Sequence, residues 1–327
     1  MRRLRAVSAV HVGQNTVRKP SLQEANFQDR LQSRLLTELL QVLQLRTMAE
    51  MREIESGNQR VVLLLVAHAD DVALFLGGTV VAWAAAGWRV VVVRVTDDRW
   101  DSVGLSQADT IAANSAEFRR AADILGVAEI VELGYPTDTL ADVSEVALRE
   151  QFIRQIRLHR PYALVTFDPY AMYGEDNQDH IKVAAAADEA FWTSQFDKHH
   201  PEHLAEGLQL HGCFERWYFG RKVVDVTDVV DISSTLDRKI EAACQHTTMM
   251  TNFANQLCLQ ASTGGWDLPL AASVVATGDI RPMMEALVAA GAAATGAAHG
   301  LGAAEEFRIV TFGGLAGYLE HLGIRRT

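Results

Sequence analysis

The sequence predicts an α/β fold, with a Rossmann-like, mostly parallel sheet and helices on both of its faces. Short apolar runs such as Val61–Val66 are typical of strands that are buried on both sides of a parallel sheet. Amphipathic helical patterns, some of them closed by glycine as at Gly87 and Gly126, alternate with these runs. This β-α-β-α order favours parallel strands joined by helical crossovers.

The elements follow in order along the chain. The first twenty residues show no regular pattern, and an apolar face recurring over residues 21–57 predicts an N-terminal helical arm. Strands are then predicted at 61–67, 88–95, 129–133 and 163–167, separated by helices at 73–86, 108–125 and 144–159. A helix from about 179, hairpin or edge strands near 216–219 and 223–226, a long helix over 233–260 and Ala/Gly-rich C-terminal additions complete the chain. We therefore predict an N-terminal extension, 1–57, and a main domain, 58–327.

Composition narrows the class of protein. Acidic residues outnumber basic ones by 41 to 30, which argues against a nucleic-acid-binding surface. The three cysteines show no Cys-x-x-Cys spacing, so we expect neither a disulfide framework nor a thiolate zinc site, and a reducing cytoplasm fits. The longest uncharged run, 286–304, is too weakly apolar to predict a membrane span. A homo-oligomer is compatible with the sequence but is not specified by it.

Polar side chains gather where the first core strand ends. His68, Asp70 and Asp71 follow the run Val61–Val66, at the strand end where open α/β sheets bind their ligands. Two adjacent carboxylates repel each other and are costly to bury, so a cation is expected beside them. A metal ion with His68 and Asp71 as ligands, and Asp70 left for proton transfer, accounts for this pattern; capping of the following helix is the structural alternative.

A second cluster follows the fourth predicted strand. Asp168 stands directly after it, and His180 comes a few residues later. If the two strands are neighbours, His180 joins His68 and Asp71 on one ion and leaves positions for water and substrate, as in a catalytic zinc site. The same two-histidine, one-carboxylate set suits non-haem Fe(II), so the identity of the divalent metal stays open.

Other polar residues are assigned to the surroundings of this site. Asp179 is expected to orient a neighbouring histidine. Asp97, Asp98 and Arg99 follow the second strand and are candidates for binding a sugar hydroxyl or another polar group. Together with Asp168 and the acids Asp101, Glu175 and Asp176, they predict an acidic rim that suits a neutral or cationic ligand.

Several ordered motifs resemble those of the PIG-L/LmbE-like zinc-dependent N-deacetylases. His68-Ala69-Asp70-Asp71 with Gly77-Gly78-Thr79 resembles the family's His-Pro-Asp-Asp-Glu motif and its Gly-Gly-Thr. Leu133-Gly134-Tyr135-Pro136, Asp179-His180, Lys239 with His246, and Glu306-Phe307 extend the resemblance over about 60–310. It implies zinc held by His68, Asp71 and His180, Asp70 as general base, and removal of an N-acyl group, such as acetyl, from an amino sugar or a related small metabolite.

Three departures from the family pattern bear on the chemistry. Ala69 replaces the usual proline, Val72 the usual glutamate, and Asn177 a histidine thought to stabilise the oxyanion or protonate the leaving amine. An amide can donate a hydrogen bond to an oxyanion but cannot act as an acid. Proton delivery then falls to Asp70 or to another group such as His246, which we also place among the residues around the substrate.

Alternative functions use the same residues differently. A non-haem iron enzyme and a catalytically impaired metal- or sugar-binding module both remain compatible with the sequence. A dinucleotide-binding dehydrogenase does not fit, because the acids of His68-Ala69-Asp70-Asp71 stand where a Gly-x-Gly-x-x-Gly turn would cradle a pyrophosphate.

Overall fold

The computed structural model of the protein describes residues 49–324, and residues from Ala49 onward form one compact unit. The predicted helical arm lies for the most part outside the described residues. Its last stretch is not helical, because Glu50–Met51 pairs as a short parallel strand with residues 228–229. The boundary at residue 57 stays a prediction.

Within the described residues, eight strands form one mixed sheet in the order β1-β7-β8-β6-β5-β2-β3-β4. The strands are β1 Glu50–Met51, β2 Val61–Val66, β3 Arg89–Thr96, β4 Glu129–Tyr135, β5 Ala163–Phe167, β6 Glu215–Phe219, β7 Asp228–Asp231 and β8 Ala304–Thr311. Only β8 runs antiparallel to its neighbours, β6 and β7. The mostly parallel α/β fold predicted from the sequence is confirmed.

Helices and single turns surround the sheet. The helices are α1 Gly77–Ala85, α2 Gln107–Leu125, α3 Glu145–His159, α4 Gln178–Thr193, α5 Pro201–Ala205, α6 Leu236–Ala243, α7 Thr247–Thr263, α8 Pro269–Thr277, α9 Arg281–Met284, α10 Ala290–Ala298 and α11 Ala316–Leu322. Wide π-helical turns at Val72–Leu76 and Glu285–Ala289 precede α1 and α10. Gly126 ends α2 with a φ of 81°, a left-handed conformation that glycine adopts without strain.

The order of the central strands creates the site. The chain runs outward from β2 to β3 and β4, then returns to place β5 on the other side of β2. A crevice forms at such a reversal of strand order, outside the carboxyl ends of the two strands. Because β2, β3 and β5 are buried along almost their whole length, the polar residues that follow them are fixed rigidly at this edge.

Four details of the C-terminal part differ from the sequence predictions. β6 is an interior strand between β5 and β8 instead of an edge element, and the strand predicted at 223–226 lies at Asp228–Asp231. The long helix predicted over 233–260 is broken at residues 244–246 into α6 and α7. Within the Ala/Gly-rich remainder, β8 was not predicted, because the strand is only partly buried and follows a long alanine-rich helical stretch.

Candidate metal centre

The loop after β2 carries His68, Asp70 and Asp71. The backbone N–H of His68 donates to Asp71 Oδ2 at 2.8 Å, and the N–H of Ala69 donates to Asp98 Oδ2 at 3.2 Å. A π-helical turn follows at once, an irregularity often found where helices meet functional sites. The loop is thus pinned at two successive backbone amides, which fixes the direction of the His68 and Asp71 side chains.

His180 enters from the first turn of α4. Asn177 is the N-cap of this helix, and its Oδ1 accepts from the backbone N–H of Asp179 at 2.9 Å and of His180 at 3.4 Å. With Oδ1 engaged as the cap, the Nδ2 end of the Asn177 amide is the end that can donate a hydrogen bond elsewhere. Asn177 therefore holds the helix start that presents His180.

The structure brings His68, Asp71 and His180 together, as predicted. His68 Nδ1 lies 3.0 Å from His180 Nε2, and His180 Nε2 lies 3.3 Å from Asp71 Oδ1. One ligand atom from each residue falls within 4.8 Å of the others, and all three side chains are buried. Two imidazole nitrogens and a carboxylate so arranged form a donor set that suits a divalent ion.

The remaining nitrogen of each imidazole contacts a carboxylate. His68 Nε2 lies 3.5 Å from Asp179 Oδ2, while His180 Nδ1 lies 2.9 Å from Glu175 Oε2. Asp179 also accepts from the backbone N–H groups of Asp138 and Leu140. A carboxylate behind each histidine is the usual arrangement around metal-binding imidazoles, because it fixes the tautomer and the ring orientation. Sequence reasoning assigned Glu175 to the rim and missed this contact, since no spacing rule links residues 175 and 180 across an irregular loop.

The electrostatics of the group favour a positive charge. Burial alone would lower the pKa of His68, but its hydrogen bond with Asp179 and the charge of Asp71 raise that pKa to about 10. Burial and the neighbouring Asp71 charge raise the pKa of Asp70 to about 7. The crowded carboxylates thus favour the protonated forms of His68 and Asp70. The same negative charges would stabilise a bound divalent ion.

A cavity of about 760 Å³ opens above the group. Its lining includes His68, Asp70, Asp71 and His180, so the three convergent donors and the predicted base face one space. Polar groups are added from the loops after β3, β4 and β5 by Asp101, Asp138 and Asn177. Helices α7, α9 and α10 cover another side with methionines and other apolar residues. This volume is within the range of small-molecule sites.

Most residues predicted around the substrate do not line the cavity. Asp97 forms an ion pair with Arg99, with the Oδ2 and Nη2 atoms 2.5 Å apart. Asp98 is fully buried in the left-handed region (φ 54°), where it accepts from the Ala69 N–H and from Arg94 Nη1 at 3.0 Å. Asp98 thereby ties the end of β3 to the loop that carries His68.

Asp168 and His246 also lie apart from the cavity lining. Asp168 is buried and pairs with Arg308 at 2.5 Å. His246 is fully buried at the break between α6 and α7, where burial lowers its pKa to about 3 and neither ring nitrogen has a partner among the described residues. The acidic rim is consequently smaller than predicted, because Asp98 and Asp168 are buried in ion pairs and only Asp101 of the rim acids after β3 lines the cavity.

A second group, His200, Glu202 and His203, lies at the start of α5 and also brings three possible ligand atoms within 4.8 Å of one another. His203 Nδ1 contacts Arg157 at 3.3 Å and its Nε2 contacts Glu150 at 2.7 Å. The guanidinium of Arg157 therefore already places a positive charge beside His203, whereas the contacts of His68, Asp71 and His180 are with histidines and carboxylates.

Comparison with known proteins identifies the segment that carries these residues. Residues 63–191 match the family described as PIG-L: GlcNAc-PI de-N-acetylase. The segment contains His68, Asp71 and His180 together with Asp70 and Asn177, which confirms the resemblance seen in the sequence motifs.

Two relatives of this chain are deacetylases of acetylated amino sugars. A stretch of 180 residues is 29% identical to diacetylchitobiose deacetylase from Thermococcus kodakarensis, covering 52% of this chain and 65% of that protein. A stretch of 159 residues is 30% identical to 1D-myo-inositol 2-acetamido-2-deoxy-alpha-D-glucopyranoside deacetylase from Mycobacteroides abscessus, covering 41% of this chain and 57% of that protein. The similarity thus spans less than two thirds of the length of these two relatives.

Solved structures show the same fold. N,N'-diacetylchitobiose deacetylase from Pyrococcus horikoshii aligns with a TM-score of 0.63 at 21% identity, covering 94% of this chain and 97% of that one. A conserved protein from Thermus thermophilus aligns with a TM-score of 0.54 at 20% identity, covering 81% of this chain and 96% of that one. Between residues 49 and 324, none of the helices combines the length and apolar character needed to cross a membrane.

Proposed function

We propose that this protein is a metal-dependent hydrolase that removes an N-acyl group from an amino sugar or a related small metabolite. The observation that carries the proposal is the convergence of His68 Nδ1, His180 Nε2 and the Asp71 carboxylate at a cavity that Asp70 also lines. The deacetylase relatives support the same class of reaction. Because the three cysteines suggest no disulfide framework, we propose that the protein acts in the cytoplasm.

His68, Asp71 and His180 would hold the ion, which we propose to be zinc. When bound, such an ion would lower the pKa of a water molecule and polarise the acyl carbonyl. Asp179 and Glu175 would keep the two imidazoles in the orientation that leaves His68 Nδ1 and His180 Nε2 free to bind. Fe(II) would suit the same ligands, and elemental analysis separates the two metals.

Asp70 is placed to move the proton. Its side chain lines the cavity next to Asp71, and we assign it the role of base toward the attacking water and then of acid toward the leaving amine. Burial and the neighbouring Asp71 charge raise the pKa of the Asp70 carboxyl, which helps it to hold the proton between the two steps. Asn177 Nδ2 would donate to the developing oxyanion, since the Asn177 Oδ1 is engaged in capping α4.

Metal analysis combined with a substrate panel tests the proposal. The purified protein should contain about one divalent ion per chain and should release carboxylate from N-acylated glucosamine derivatives. Lack of a bound metal would refute the site assignment. A bound metal with no hydrolysis of any N-acyl amino sugar would instead favour a catalytically impaired binding module.

A further inference from the structure

One side of the cavity is apolar, and its residues follow the PIG-L-matching segment in the sequence. We define the apolar wall as Phe219, Met250, Phe253, Met284, Leu287 and Val288, all of which line the cavity. They come from the end of β6, from α7 and from the stretch running through α9 to the turn before α10, all after residue 191. Unbranched methionines adapt their shape to irregular apolar ligands. This wall therefore presents apolar surface to whatever fills the cavity.

The opposite side is polar. We define the polar wall as Asp70, Asp101, Asp138 and Asn177, which line the same cavity. Asp101 follows β3 and Asp138 follows β4, whereas Phe219 ends β6 and α10 packs against β8. In the strand order, β3 and β4 lie on one side of the β2–β5 pair and β6 and β8 lie on the other. The candidate metal centre, built on β2 and β5, stands between the two walls.

Most charged residues near the apolar wall have partners of their own. Lys239 and Glu305 line the cavity but form a buried ion pair at 2.6 Å. Arg221 lies 3.3 Å from Glu175, the carboxylate behind His180. Glu306 lies 2.7 Å from His299, and Lys222 lines the cavity at an exposed position, so the charged side chains on this side are paired or open to solvent.

We propose that the enzyme removes an aliphatic acyl chain considerably longer than acetyl, with about six to ten carbons. The inference rests on the proposed function, because an amide cleaved at the metal centre has two sides. Sugar hydroxyls fit the carboxylate and amide groups of the polar wall. The acyl group then extends toward the apolar wall, where each buried methylene strengthens binding by about threefold.

A series of acyl lengths on one amine tests this inference. N-acetyl, N-butanoyl, N-hexanoyl, N-octanoyl and N-decanoyl glucosamine are compared by kcat/KM with the metal-loaded protein. Because six methylenes separate octanoyl from acetyl, we expect a preference on the order of a thousandfold for octanoyl. Equal or better turnover of the acetyl compound would overturn the inference and leave the proposed hydrolase intact. N-acetylglucosamine octyl glycoside serves as a competitor, and its preference over the N-octanoyl compound would place an aglycone on the apolar wall and refute the acyl assignment.

Binding decides the inference even if none of the compounds is hydrolysed. The affinities of N-octanoyl and N-acetyl glucosamine are measured by calorimetry on the Asp70→Asn variant with its metal bound. Affinity for the octanoyl compound at least about tenfold higher supports an acyl site. Equal affinities contradict it, whereas absence of hydrolysis by the wild type contradicts only the proposed function.

A pair of leucine variants tests where the acyl chain binds. Leu287 is half exposed at the cavity, so Leu287→Asp places a charge on the apolar wall without disturbing the core. We expect its kcat/KM to fall by about tenfold for the octanoyl substrate and by less than about twofold for the acetyl one. Leu259→Asp, at an exposed position of α7 outside the cavity, is the matched control and should leave both values unchanged. Equal losses for the two substrates in Leu287→Asp would refute the assignment of the apolar wall.

Discussion

The two parts of the cavity are built in different ways. Residues 63–191 supply parallel strands whose ends carry every predicted metal ligand and the predicted base. Residues 215–311 supply β6, the antiparallel β8 and a set of helices that line the cavity with apolar side chains. The first region is held by buried parallel strands and short hydrogen-bonded loops, and the second by pairing of β6, β7 and β8 together with helices packed against them. The contrast teaches that the candidate metal centre and the polar wall belong to one part of the chain and the apolar wall to another, so each part can be altered by itself.

The largest effect is expected from Asp71→Ala, which breaks the first region alone. It removes one ligand atom and the acceptor of the His68 N–H, so we expect loss of the bound metal and a fall in turnover of at least about a thousandfold. Elemental analysis measures the bound metal, and an acyl-release assay measures turnover. Asp267→Ala, an exposed aspartate, is the control. Retention of a full complement of metal in Asp71→Ala would show that Asp71 is not a ligand.

The Lys239→Ala variant tests the contact between the two regions. Lys239 Nζ lies 2.6 Å from Glu305 Oε1, and Glu305 also accepts from the N–H groups of Gly78 and Thr79 in the first region. Removal of one partner of a buried ion pair should lower the free energy of unfolding by about 3–5 kcal/mol. Urea unfolding measures the loss, with the exposed Lys198→Ala as control. A loss below about 1 kcal/mol would mean that Lys239 does not hold Glu305 against the Gly78 and Thr79 amides of the first region.

Asp70→Asn separates proton transfer from metal binding within the first region. The amide keeps the size of the side chain but cannot take a proton, so turnover should fall by about a hundredfold or more while the metal stays bound. Steady-state kinetics and metal content on the same preparation test this. Near-normal turnover would assign the base to another residue, and loss of metal would show that Asp70 is itself a ligand.

Glu175→Gln weakens the support of one ligand without removing it. Because Glu175 Oε2 contacts His180 Nδ1, the variant should bind its metal about 10- to 100-fold less tightly. Competition with a chelator gives the affinity, and the neighbouring Asp176→Asn is the control. If the two variants bind the metal equally well, Glu175 has no orienting role.

The smallest effect concerns pH and the break between α6 and α7. The pKa of His246 is about 3 in the folded protein, below the ordinary value of 6.5, so the unfolded chain binds the extra proton first. Stability from this group is therefore complete above about pH 6.5 and is lost as the pH falls, by about 2 kcal/mol at pH 5. His246→Leu should remove this part of the acid sensitivity, whereas exposed His321→Leu should not, as measured by urea unfolding at pH 7 and pH 5. Identical pH dependence of wild type and His246→Leu would refute the buried neutral histidine.

The same contrast explains how much the sequence predicted. In the first region, unbroken apolar strands followed by acids and histidines identify both the sheet and the three residues that converge, because strand ends of parallel neighbours meet at one edge. In the second region, β8 is only partly buried and follows an alanine-rich helix, so its pattern is ambiguous. A methionine such as Met250 or Met284 follows helical spacing whether it faces a core or a cavity, and only the tertiary structure separates the two. Asp98 was misplaced for a related reason, since nothing local shows that its carboxylate turns inward to hold the amide of Ala69.

Glu305 has a consequence for what this fold can bind. Its carboxylate accepts from the N–H groups of Gly78 and Thr79, at the start of the first helix after β2. In related α/β architectures, free amides at such a helix start bind the phosphates of nucleotides. Here a side chain from the far end of the chain acts as a built-in anion, and Lys239 balances its charge. The Glu305 carboxylate therefore occupies amides that could otherwise bind a phosphate. The crevice at the carboxyl ends of the strands is thus available to a ligand other than a nucleotide.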